Sequence, residues 1–82
     1  MEQSPTQFLT QEESAQIESA LLTSSEKFLT RLTISSYRLL KIIAKDIGIS
    51  VDELTANQIL EWMEKDSKIK REQGIDASVL KW

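Results

Sequence analysis

Apolar residues recur at helical spacing in one long central segment. Between Ser25 and Gly48, a helical rotation of about 100° per residue places the large apolar side chains within an arc of about 120°. This is the width of the apolar stripe on a core-facing helix. These side chains are Phe28, Leu29, Leu32, Leu39, Leu40, Ile43 and Ile47. The pattern therefore predicts a central helix over 25–47 with one face to bury. Glycine at position 48 favours positive φ and predicts the end of that helix.

A capping box marks the start of a shorter helix before the central one. In a capping box, a threonine or serine hydroxyl and a glutamate or glutamine three residues later each accept a hydrogen bond from the other residue's amide. Thr10–Glu13 has this form and predicts a helix over about 11–22. Thr23–Glu26 repeats the form and predicts a break before the central helix. A single helix over 11–47 is the alternative, because no glycine or proline enforces the break.

The same signal recurs twice after the central helix. Ser50–Glu53 predicts one helical turn at 51–54, and Thr55–Gln58 predicts a third helix over about 56–73, which Gly74 ends. Residues 75–82 are richer in large apolar side chains than a disordered tail, so we expect them to dock.

These elements predict an all-α protein. We expect a small bundle of three main helices, with residues 10–82 forming a single helical domain. Residues 1–9 are expected to be a mobile N-terminal segment, in which Phe8 and Leu9 are the residues able to dock. Trp62 and Trp82 are costly to leave exposed. Core packing of both is the simpler interpretation, and exposure of Trp82 to a partner is the alternative.

Composition excludes most catalytic chemistry. The 82 residues contain no cysteine and no histidine, which removes thiolate nucleophiles, imidazole bases and the usual zinc ligand sets. Carboxylate pairs such as Glu61 and Glu64 lack a partner base or a ligand loop. We therefore assign no catalytic residue, no metal ligand, no cofactor and no small-molecule substrate. Without a signal peptide pattern or a membrane-spanning stretch, we expect a soluble, unprocessed cytoplasmic protein.

Charge is segregated along the chain, although the net value is only −3. Residues 1–25 carry four glutamates and no cation, whereas residues 26–45 carry five cations against one glutamate. Such blocks can attract each other within the fold or between copies. On the central helix the five cations share an arc of about 80° with one isoleucine. This basic ridge consists of Lys27, Arg31, Ile34, Arg38, Lys41 and Lys45.

The basic ridge has two interpretations. A helix that buries one side needs polar residues on the other, so a solvated face is the simpler one. The alternative is a surface that binds nucleic acid, an anionic partner or a membrane, and the ridge together with Trp82 is the candidate interaction surface. Under either interpretation Arg38 and Lys41 point away from the core, and exchanging both for glutamate is expected to leave the helical fold intact.

The window from Leu40 to Ile59 resembles a DNA-binding helix-turn-helix. The resemblance covers about a quarter of the chain and depends on Ala44 in the first helix, Gly48 at the turn and Leu54 beyond it. It implies a DNA-binding protein that uses residues 40–60 and the basic ridge. Asp52 and Glu53, however, would face phosphates from the leading end of the recognition helix.

We therefore predict a small non-catalytic module for protein–protein interaction or regulation. Its partner is another protein or a second copy in a homodimer, without membrane association. DNA binding through a helix-turn-helix is the alternative function.

Overall fold

The computed structural model describes residues 8–81, and all regular structure in that range is helical. The α-helices are α1 (Gln11–Ser19), α2 (Ser24–Ile47) and α3 (Ala56–Gln73). Short 3-10 turns follow α2 at Val51–Glu53 and α3 at Ile75–Ala77. The predicted all-α class with three main helices is confirmed, and no strand occurs between residues 8 and 81.

Capping boxes set the helix starts as the sequence predicts. At Thr10, Thr23 and Thr55 the threonine amide donates to the later carboxylate or amide oxygen at 3.0 Å, and the threonine hydroxyl accepts at 3.1 Å. At Ser50 the Glu53 carboxylate accepts from the serine amide at 3.0 Å, while the Glu53 amide donates to the Ser50 carbonyl. Local hydrogen bonds therefore fix these starts.

The predicted break between α1 and α2 is confirmed, but the predicted end of α1 at residue 22 is wrong. The helix ends at Ser19, and Ala20 is extended with φ −73° and ψ 154°. The Ser19 hydroxyl donates back to the Ala15 carbonyl at 3.0 Å. Leu21 is fully exposed, so no apolar burial draws further residues into the helix.

Glycines close the two longer helices in the left-handed region. Gly48 has φ 91° and Gly74 has φ 95°, which confirms the predicted ends of α2 and α3. The amides of Gly48 and Ile49 both donate to the Ala44 carbonyl, at 2.8 and 3.0 Å, and so satisfy the last turn of α2.

The chain forms two compact units, one ending at Leu39 and the other beginning at Leu40. In the N-terminal unit, Ile17 and Ser35 are buried. Phe8 and Leu9 are half-buried there, so the part of the N-terminal segment that the structure describes does dock. The rest of the predicted mobile N-terminal segment lies outside the described residues, and the single domain over 10–82 stays a prediction.

The C-terminal unit has its own apolar core. Its buried apolar side chains are Ile43, Ala44, Trp62 and Leu80. The indole Nε1 of Trp62 donates to Asp46 Oδ2 at 2.9 Å, which satisfies the one polar atom that this side chain buries. Core packing of Trp62 is confirmed, and Leu80 confirms that the tail docks. Trp82 lies outside the described residues.

Candidate interaction surface

The basic ridge predicted from the sequence is in part an attachment site for α1. Arg38 donates from Nη1 and Nη2 to the two carboxylate oxygens of Glu13, at 2.6 and 2.5 Å. Its Nη1 also donates to the Phe8 carbonyl at 2.8 Å. Arg38 lies outside the buried core, as expected, but it packs against the segment that carries α1. Because Arg38→Glu would oppose Glu13 with a like charge, we no longer expect that exchange to leave the fold unaffected.

A second group of contacts fastens the other end of α1. Arg31 forms an ion pair with the Glu18 carboxylate, and the Lys27 ammonium donates to the Glu18 carbonyl. Glu18 lies in the last turn of α1, so the cations of α2 also complement the negative end of its dipole. The acidic first block of the chain and the basic second block thus attract each other within the fold.

The Glu13–Arg38 pair is expected to make the stability of the N-terminal unit depend on pH. Hydrogen bonds from Arg38, assisted by the Thr10 amide, lower the pKa of Glu13 from 4.5 to about 2. A carboxylate with a depressed pKa stabilises the fold above its unfolded pKa, and that contribution disappears as pH falls through the folded value. We therefore expect Glu13→Gln to lower the thermal unfolding midpoint at pH 7, and the difference from wild type to close between about pH 4.5 and 2.

Thermal melts followed by circular dichroism across this pH range test the prediction. Glutamine keeps the capping-box acceptor, so the variant removes the ion pair alone. Glu12→Gln, at the exposed neighbouring position, controls for loss of charge in the first turn. A difference between wild type and Glu13→Gln that stays constant from pH 7 to pH 2 would contradict the assignment.

The remaining predicted surface residues differ in exposure. Ile34 is half-buried in the N-terminal unit. Lys41 and Lys45 are exposed and belong to the C-terminal unit. Trp82 lies outside the described residues. A role in partner binding for these residues stays a prediction.

An accessible apolar surface lies where the sequence predicted a core. The N-terminal half of the predicted stripe is exposed rather than buried at Phe28, Leu29 and Leu32. The reason is that the contacts of Arg31 and Arg38 with Glu18 and Glu13 place α1 on a neighbouring side of α2. Two exposed leucines of the α1–α2 loop precede these three apolar residues. We call this set the apolar face, and it consists of Leu21, Leu22, Phe28, Leu29 and Leu32. Of the predicted stripe, Ile43 alone is fully buried, and Ile47 is also exposed.

The apolar face is large for a small domain. Its exposed fractions include 50% for Phe28 and 57% for Leu29. Added together, the exposed surfaces of the five residues come to roughly 500 Å², which is within the size range of the largest apolar patch on a typical monomeric protein. The largest apolar patch of a monomer is often functional, so the apolar face is the candidate surface that the structure adds to the predicted ridge.

An open cleft of about 250 Å³ lies in the C-terminal unit. It is lined by Ile47, Gln58, Glu61, Trp62 and Lys65. The cleft is smaller than the pockets that usually hold cofactors or substrates. Within residues 8–81 no group of carboxylates is placed to hold a metal ion.

Comparison with known families supplies the functional context. The family model described as NDH complex assembly factor CRR9 matches residues 9–81, nearly the whole chain. This chain belongs to the CRR9 family. Searches among curated proteins and among solved structures gave no match. The matched range includes all three helices of the described structure and the whole apolar face. None of these helices is long and apolar enough to cross a bilayer.

Proposed function

We propose that this chain acts without catalysis in the assembly of an NDH complex, by binding a protein component of that complex through the apolar face. Membership of the CRR9 family supports the assembly role. The lack of cysteine and histidine argues against an enzyme. The observation that carries the proposal is the exposure of Phe28, Leu29 and Leu32 on one side of a well-formed helix. Covering such side chains provides much of the free energy of protein association.

DNA binding has no comparable support. A protein that binds duplex DNA neutralises phosphates with exposed lysine and arginine side chains. Here Arg31 and Arg38 form ion pairs with Glu18 and Glu13, and the family description concerns assembly. We therefore set the helix-turn-helix alternative aside. The cytoplasmic location stays a prediction, and a homodimer is treated below as an outcome of experiment.

Affinity capture tests the proposal. Tagged wild-type protein is incubated with an extract of cells that contain the NDH complex, and its subunits are identified by mass spectrometry. We expect recovery of NDH complex subunits by the wild type and a loss of at least about tenfold with Phe28→Ser plus Leu29→Ser, which we call the face variant. Serine at these half-exposed positions should preserve the helical circular dichroism spectrum.

A matched control comes from the C-terminal unit. Leu60 and Ile75 are 60% and 42% exposed, close to the exposed fractions of the two replaced residues. Leu60→Ser plus Ile75→Ser, the control variant, therefore removes a similar amount of exposed apolar surface elsewhere. Equal recovery of NDH complex subunits by the face and control variants would refute the proposal that the apolar face is the binding surface.

A further inference from the structure

We infer that the apolar face receives an amphipathic helix of the partner protein, and that burial of apolar surface alone holds the two together, without ion pairs across the interface. This inference rests on the proposed function and specifies the chemistry of the partner.

The shape of the apolar face fits a helix. Phe28 and Leu32 are one turn apart, and Leu29 lies beside them, so the three side chains form a short row along α2. Ser25 and Ser36 lie on the same side, one turn before and one turn after this row. The segment from 25 to 36 is about 16 Å long, which matches three turns of a helix laid against it. Small hydroxyl residues at both ends let a partner helix approach closely.

The charges around the apolar face are already engaged. Glu26 accepts from the Thr23 amide as part of the α2 capping box. Lys27 donates to the Glu18 carbonyl, and Arg31 is paired with the Glu18 carboxylate. No charged residue lies within the helical arc that holds the row between positions 25 and 36. The row itself therefore offers a partner no charge to pair with, and an uncharged apolar surface is the better match.

These features favour a protein helix over a membrane or a second copy. Helices that lie on membrane surfaces carry cations along the edge of their apolar face to attract anionic lipids, whereas Lys27 and Arg31 are held by Glu18. A stable dimer buries about 800 Å² on each partner. The apolar face offers roughly 500 Å², an area suited to a transient contact with a partner protein.

The experiment uses a fluorescein-labelled peptide of 18 residues as the probe. Leucines at helical spacing form its apolar side, and glutamine and serine form an uncharged polar side. Fluorescence anisotropy is measured with the full chain at low salt and at 1 M NaCl. We expect saturable binding with a Kd that changes by less than about twofold with salt. We also expect at least about tenfold weaker binding to the face variant and unchanged binding to the control variant.

The other outcomes overturn either the inference or the proposed function on which it rests. Binding that falls about tenfold in 1 M NaCl would show an ionic interface. A dimer that light scattering detects for the wild type and not for the face variant would show that a second copy covers the apolar face. Binding of the wild type, and not of the face variant, to phosphatidylglycerol vesicles would show that a membrane covers it. If the peptide does not bind but capture of NDH complex subunits still depends on the apolar face, the inference of a partner helix is refuted and the proposed function is not. Peptide binding without capture of those subunits would instead refute the proposed function.

Discussion

Asp66→Ala is expected to lower the free energy of unfolding by about 3 kcal/mol, because it removes a buried carboxylate that accepts hydrogen bonds from two backbone amides. Asp66 is only 4% exposed. Its Oδ1 accepts from the Val79 amide at 2.7 Å, and its Oδ2 accepts from the Leu80 amide at 3.0 Å. Leu80 and Ser78 are also buried, so water cannot readily replace the lost acceptor. The carboxylate thus holds the returning C-terminal segment against α3.

Urea unfolding followed by circular dichroism measures this effect. Asp66→Asn should lose about half as much stability, since an amide oxygen can accept from one backbone N–H while its NH₂ group cannot accept from the other. Glu64→Ala, at an exposed position of α3, controls for loss of one acidic residue from the helix. If Asp66→Ala proved as stable as Glu64→Ala, the two hydrogen bonds would contribute nothing to stability.

Local signals explain why the helix starts were predictable. Each capping box depends on residues three positions apart, and the positive φ of Gly48 depends on one residue. The end of α1 depends instead on whether Leu21 and Leu22 find a surface to cover. Periodicity cannot show that, and the structure leaves both exposed.

The side of α2 that receives α1 was not predictable from hydrophobic pattern alone. The apolar stripe suggested that Phe28 and Leu29 would be covered, whereas ion pairs between residues far apart in the chain brought α1 to the cations. The pair of Glu13 and Arg38 joins positions 25 residues apart. The segregation of acidic and basic blocks was the signal for this arrangement, although it predicted attraction either within the fold or between copies and did not name the partner residues.

Asp66 shows a different limit of sequence reasoning. It lies where α3 becomes strongly polar, and such residues normally face solvent. It is buried only because the chain turns at Gly74 and brings the amides of Val79 and Leu80 back to it. The docking of the tail was predictable from its apolar content, but the carboxylate that holds it was not.

The largest functional effect is expected in cells that lack this protein. There the wild-type chain should restore the assembled NDH complex, and the face variant should restore about a tenth of it or less, because loss of two apolar side chains at the centre of an interface weakens binding by about tenfold or more. The control variant should restore the complex fully. Immunoblots of the protein itself must show equal amounts of all three chains, so that a folding defect is not mistaken for lost binding.

The most direct test of the central claim is the amount of assembled NDH complex on native gels from these three strains. We predict normal complex with the wild-type and control chains, and little complex with the face variant at equal protein level. Full assembly of the NDH complex with the face variant would contradict the claim that this chain acts in assembly through Phe28 and Leu29.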